Sequence, residues 1–237
     1  MSEHTTKSFD VELSHLVSMI AEMGGITEKQ IVASIDALIH GDINLARRVI
    51  SADETLDCRQ REIETYAVSV IAKRQPVADD LREIIAIVRI ANDLERIGDL
   101  SKNIGKRVIG INGEEIPRRA LRGVQHMTQL ALIQLRDALD CFSMRNSAKA
   151  LNVRDRDGDI DAMYTSLFRE MLTYMMEDPR AVGYGVHLLF CAKNIERMGD
   201  HVTNIAEAAY YMIEGQMLLD PRRKADLTST LPTVFKS

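Results

Sequence analysis

Apolar residues recur at helical spacing along nearly the whole chain, and the glycine and proline breaks are few and fall about thirty residues apart. The pattern predicts six helices. The first runs from about Asp10 to Ile39, with Gly24-Gly25 as a point of kinking or interruption. His40-Gly41-Asp42 ends it, and Asp42 is placed to cap the second, which runs to Arg74 and stops at Gln75-Pro76. A third, capped by Asp79 or Asp80, extends to about Ile109. Residues 110–117, GINGEEIP, carry two glycines and a proline without apolar periodicity and mark a boundary. Beyond it, helices are expected from Pro117 to Arg145, from Asn146 to Met176, and from Pro179 or Arg180 to Gly215. Asp178-Pro179 then stands where Gln75-Pro76 stood, and the tail after Asp220 is polar and expected to fray.

The two halves repeat one another. Residues 91–105 read ANDLERIGDLSKNIG and residues 192–206 read AKNIERMGDHVTNIA; seven of the fifteen positions are identical, at an offset of 101. The prolines and the acidic stretches Asp53-Glu-Thr-Leu-Asp57 and Asp157-Gly-Asp-Ile-Asp161 follow at offsets of 103 and 104. Such a period is too long for a solenoid unit and fits two copies of a three-helix bundle. The expected fold is therefore all-α, with six long helices in two tandem three-helix bundles over residues 8–112 and 116–216, and a flexible tail over 217–237.

Composition supports this reading and narrows the function. Hydrophobic residues make up 46% and charged residues 27%, enough apolar material for a sizeable core. Aromatics are 5%, tryptophan is absent, and twelve methionines accompany five prolines, a mixture that suits long packed helices better than sheets. The net charge of −5 lacks the basic surplus of a module held on nucleic acid by phosphate contacts. The opening MSEHTTKSFD is no signal peptide, and no apolar run is long enough to cross a bilayer, so a cytoplasmic protein without direct membrane insertion is expected. Cys58, Cys141 and Cys191 are far apart and read as small core hydrophobes.

The chemistry lies in repeated carboxylate pairs. Side chains four apart on a helix point nearly the same way, so each DxxxD or ExxxD is a pair of neighbouring carboxylates. Four occur at corresponding places: Asp53 with Asp57, Glu95 with Asp99, Asp157 with Asp161, and Glu196 with Asp200. With Leu94 as the zero of a helical wheel, Ile87, Ile90, Ala91, Gly98, Ser101 and Gly105 form a core stripe, and Glu95, Asp99 and Asn103 run beside it. Asp53 and Asp57 flank the stripe of the second helix, so two acidic lines face each other across a shallow groove. Like charges one turn apart oppose helix formation, and a bound cation offsets that. Oxygen donors without thiolate or imidazole suit magnesium, manganese, calcium or iron rather than a zinc site of the cysteine and histidine kind. Gly98 and Gly199 precede Asp99 and Asp200 and imply close helix packing or room for a bulky ligand. Singly, an ExxxD is ordinarily a solvated face; four at equivalent positions of a duplicated unit point to metal.

Other groups carry less. Glu12 and His15 form one ExxH, without the second that a di-iron bundle needs. His201 points away from Glu196, toward core or surface contact. Arg96 and Arg197 read as ion-pair partners of nearby carboxylates, with anion binding as the minor alternative. Lys102 and Lys106 lie beside Glu95 and Asp99, where the second copy has Thr203 and Glu207, so the first site is expected to hold fewer cations or to be partly neutralised by its own lysines. Nucleotide-binding and hydrolase motifs are absent. A di-metal carboxylate enzyme would need ligands deep in a bundle with an open position, and a metal-free scaffold would leave the pairs solvated.

DLERIGD (93–99) and NIERMGD (194–200), with RQPVADDLR (74–82) and TYMMEDPR (173–180), closely resemble the PhoU family of phosphate-transport accessory regulators across essentially the whole chain. The resemblance implies two bundles related by pseudo-twofold symmetry and metal bound through the acidic pairs. The ligands it implies are Asp53, Asp57, Glu95, Asp99, Asp157, Asp161, Glu196 and Asp200, with Asn103, Asn204 and Glu207 as secondary donors. The ion would be divalent or trivalent: iron, manganese, magnesium or zinc. It further implies a non-enzymatic negative regulator of the phosphate-starvation regulon, acting between the ATPase of a phosphate ABC transporter and a phosphate-sensor histidine kinase. Such a protein would self-associate as a homodimer or higher oligomer and sit in the cytoplasm or at the inner membrane through its partners.

Overall fold

In a computed structural model, which describes residues 2–111 and 116–218, the chain folds into helices joined by short turns. Helices α1 (Ser2–His40), α2 (Ile43–Arg74) and α3 (Ala78–Ile111) pack together as one bundle. Helices α4 (Arg118–Ser143), α5 (Ser147–Asp155), α6 (Asp157–Glu177) and α7 (Val182–Glu214) form the other, with a 3-10 turn over Pro179–Ala181. The centre of the boundary segment and most of the tail, residues 112–115 and 219–237, lie outside the described residues.

Local chemistry sets the ends. Asp42 caps α2 by accepting the Leu45 N–H at 2.9 Å. Gln75 ends it in a left-handed turn at φ 51°, and Pro76 supplies no further donor. Asp79 and Asp80 do not precede α3 as caps; they lie within its first turn, where free amides and the helix dipole favour their charge. Gly24-Gly25 interrupts nothing. α1 runs unbroken through them, and a Cβ on Gly24 would stand 2.6 Å from Leu139 Cδ1, so the glycine lets α4 come close.

The expected fifth helix is broken. At Arg156 (φ −89°, ψ 2°) the chain leaves the helical region, and α6 restarts with Asp157 and Asp159 in its first turn. Gln134 Nε2 on α4 donates to the Arg156 carbonyl at 2.9 Å, which satisfies a group the break exposes. The sequence Arg-Asp-Gly-Asp carries the cause, since glycine and aspartates favour a restart that puts negative charge at the positive helix end.

The buried apolar residues of both halves join in one continuous core. Helices α3 and α7 make the most extensive contact in the molecule. On α3, a second buried stripe of Ile97, Leu100, Ile104 and Val108 lies roughly 240–320° around the wheel from Leu94, at about 100° per residue, opposite the carboxylate line. The same side carries Asp93, which reaches His201 and Asn204 on α7. Of the cysteines, Cys141 and Cys191 are buried, with thiols pushed up to about 12 by desolvation, whereas Cys58 is exposed and not a core residue.

Candidate functional site: paired carboxylate clusters

Each bundle brings one acidic line of its central helix against another. In the first, Asp53 on α2 is buried beside Glu95 on α3, while Asp57 and Asp99 are half-buried at the rim. Lys102 Nζ bridges the two helices, donating to Asp53 Oδ2 and, at 2.8 Å, to Asp99 Oδ1. Asp53 Oδ1 is buried without a hydrogen-bond partner. Glu95 Oε2 is also buried and receives no hydrogen bond, although Arg96 Nε stands 3.4 Å away and the same guanidinium reaches Asp99 at 3.3 Å. Burial pushes the Asp53 carboxyl above its ordinary range, against the pull of Lys102. Burial likewise raises Glu95; Arg96 opposes it, and the charges of Asp99, Asp57 and Asp53 add to it.

The second bundle repeats the plan with different neutralising groups. Asp157, Asp161 and Glu196 are buried and Asp200 is half-buried. Thr203 Oγ1 donates to Asp157 Oδ1 at 2.8 Å. Lys193 Nζ donates to Glu196 Oε1 at 2.9 Å and lies 5.0 Å from the centre of the Tyr164 ring. Glu196 Oε2 is buried without a hydrogen bond. Burial raises this carboxyl, Lys193 lowers it, and Asp200 and Asp161 raise it further. Thus Thr203 occupies the position of Lys102, and Lys193 that of Asn92: the lysine has changed place by three helical turns and kept its task. Neither Thr203 nor Lys193 was singled out as a neutralising partner in the sequence, although Lys193 stands one turn before Glu196.

Behind each cluster a glycine sets the helix spacing. A Cβ on Gly98 would collide with Leu56 Cδ1, and one on Gly199 would come within 2.9 Å of Ile160 Cδ1. The recurrent glycine therefore admits an apolar side chain, not a ligand, and holds the acidic lines together. The sites are also less shallow than their flank positions implied: Asp53, Asp157 and Glu196 are each only 4% exposed.

The remaining residues fall elsewhere. Asn204 Nδ2 donates to Asp93 Oδ1 at 3.1 Å, beside a 2.8 Å contact from His201 Nδ1, so both tie α7 to α3. Glu207 pairs with Arg154 at 3.4 Å. Asn103 and Lys106 line a separate cleft between α3 and α7, as does Arg197, which was expected beside the carboxylates. Glu12 is held by Arg74 at 2.8 Å, and His15 packs edge-on against Tyr66.

The donor set is hard oxygen, with buried acceptor atoms left over, and so has the chemistry a divalent or trivalent cation requires. As they stand, no three acidic, histidine or cysteine side chains among the described residues are grouped to hold a metal ion. Lysine ammonium groups already bind carboxylates of both clusters.

A family model described as the PhoU domain matches residues 20–108 and 124–209. The chain is 54% identical over 231 residues to the phosphate-specific transport system accessory protein PhoU homolog of Rhizobium meliloti, covering 98% of each chain. It is 46% identical to the Caulobacter vibrioides homolog of the same description, over 97% of this chain and 100% of that one. Among solved structures, PhoU from Pseudomonas aeruginosa superposes with a TM-score of 0.83 at 37% identity, over 88% of this chain and 100% of that one. The phosphate transport system regulatory protein PhoU from Streptococcus pneumoniae gives 0.82 at 28% identity, over 89% and 99%.

Proposed function

The chain belongs to the PhoU family, and from that premise we propose that it is an accessory regulator of phosphate transport that works as a helical adaptor. The observation that carries the adaptor mechanism is the duplicated carboxylate cluster, buried between helices and retaining acceptor oxygens without hydrogen bonds. In this reading the protein acts in the cytoplasm, contacts the ATPase of a phosphate ABC transporter and a phosphate-sensor histidine kinase, and restrains phosphate-starvation genes when phosphate is plentiful. It self-associates as a homodimer or higher oligomer and reaches the inner membrane through partners; no described helix is long and apolar enough to cross a bilayer. The relatives are named accessory proteins of a transport system, which supports an adaptor over a catalyst.

Asp53, Asp57, Glu95 and Asp99 would hold a cation in the first bundle, and Asp157, Asp161, Glu196 and Asp200 one in the second. Bound metal would supply positive charge that cancels carboxylate repulsion and ties neighbouring helices together. Lys102 and Lys193 already supply part of that charge, so a metal ion competes with an ammonium group for the same oxygens.

Deleting the gene should switch on phosphate-starvation genes in phosphate-rich medium, and the chain used as bait should retain the transporter ATPase and the sensor kinase. Unchanged expression in the deletion strain overturns the regulatory assignment. Metal analysis of protein purified without chelator tests the cation separately; protein that carries no metal and takes up none on dialysis against iron, manganese, magnesium or zinc overturns that part alone.

A further inference from the structure

Two clefts flank the α3–α7 contact, and the internal repeat relates them. Arg89, Asp93, Asn204, Glu207 and Tyr211 line one. The residues displaced from these by 101 positions, Phe190, Asn194, Asn103, Lys106 and Gly110, line the other. One backbone frame thus carries two different chemistries.

In the first cleft the polar groups are served by the protein. Asp93 takes contacts from His201 and Asn204, and Glu207 pairs with Arg154. In the second, the counterpart of Asp93 is the neutral amide Asn194 and the counterpart of Glu207 is the cation Lys106. Arg107, Arg197 and His187 join them, and among the described residues no carboxylate lines the cavity, whose volume is about 530 Å³. Among the described residues no carboxylate pairs with Lys106, Arg107 or Arg197. His187 Nδ1 is buried without a hydrogen-bond partner. The ring fits there because position 110 is glycine; a Cβ would stand 2.9 Å from His187 Cε1. Arg107 rests 4.0 Å above the Phe190 ring, which is 47% exposed and forms part of the cavity wall.

Lys106 and Arg197 are exposed and Arg107 is half-buried, and with no counter-charge among the described residues these neighbouring cations repel one another. A chain of net charge −5 has acidic groups to spare, yet among the described residues none pairs with these three. An oxyanion would relieve the repulsion and accept charge-assisted hydrogen bonds from guanidinium, ammonium and amide N–H groups. The cavity exceeds what a bare tetrahedral anion fills and lies within the range of small-molecule sites. We propose that this cleft binds a small anion bearing a phosphoryl group, either free phosphate or a nucleotide whose base lies on Phe190. The site is separate from the carboxylate clusters and stands whether or not the regulatory reading does.

Calorimetric titration of the full chain with inorganic phosphate, and separately with ATP, both in chelator, tests this. At least one of the two binds, with one site per chain, and the Lys106→Gln/Arg197→Gln double variant weakens it by about tenfold or more. Arg89→Gln, in the counterpart cleft, leaves the affinity unchanged. Binding of phosphate assigns the free anion; binding of ATP alone assigns the nucleotide. The proposal is overturned if neither binds at about 10 mM, if the double variant binds as the parent does, or if Arg89→Gln weakens binding equally. Both substituted residues of the double variant are exposed or on the cleft wall, and an unchanged melting temperature confirms that it folds.

Discussion

At the scale of single residues, Lys102 and Lys193 explain how buried carboxylates are tolerated between helices. Each ammonium is drawn from a different position on its helix, yet each meets a buried acid whose carboxyl burial raises. Replacing Lys102 by methionine leaves Asp53 buried and uncompensated, and in chelator should lower stability by about 1–3 kcal/mol in urea unfolding. The same variant should gain more stability from added manganese than the parent does, because no ammonium competes. A manganese response no larger than the parent's would refute competition for these oxygens.

The Glu196 carboxyl is raised above its ordinary value of 4.5, chiefly by burial. A raised carboxyl binds its proton more tightly in the folded state. Its stabilising contribution is therefore complete below 4.5 and is lost as pH rises through the higher folded value. Asp53 and Glu95 act with the same sign, whereas Glu12, lowered by its hydrogen bonds from Arg74, acts with the opposite one. In metal-free buffer, Glu196→Gln should therefore melt higher relative to the parent near neutrality than near about pH 4.5. A difference between the two proteins that is constant across that range would contradict the assignment.

At the scale of helices, Gly98 and Gly199 fix how closely the helices carrying each acidic line approach. Gly98→Ala gains about 1 kcal/mol of helix propensity but drives a methyl into Leu56, and overpacking of this kind costs about 1–3 kcal/mol. The net effect expected is destabilisation. Leu56→Ala should relieve it, so that the double variant is more stable than the sum of the single changes implies; strict additivity in urea unfolding would show that the two do not touch. The break at Arg156 acts at the same scale. It turns Asp157 into a helix-starting residue, while Asp53 remains within an unbroken α2, so the two clusters present the same acidic side chains on different local backbone.

At the scale of the whole molecule, α3 and α7 each pack against helices of both halves, and a single apolar core runs through them. Calorimetry should accordingly show one unfolding transition. Two resolved transitions, each matching a separately expressed half, would refute a shared core. The stripe of Ile97, Leu100 and Ile104 that meets α7 would lie bare in residues 1–112 alone, so that fragment should self-associate in sedimentation analysis, and a monodisperse monomer would speak against it.

Apolar periodicity, the Gly and Pro breaks and the offset of 101 determined the helical class, the six-helix plan apart from the break at Arg156, and the pairing of Asp53, Asp57, Glu95 and Asp99 with their counterparts. These rest on period and spacing, which a chain carries along its length. Tertiary structure alone decided that Lys193 replaces Lys102, that Arg197 leaves the carboxylates for a basic cleft, and that α3 buries a second face against α7. The reason is physical: a helical wheel gives the direction of a side chain, but which neighbour waits there depends on elements a hundred residues away. Long flexible cations such as lysine and arginine have reach enough to choose between them.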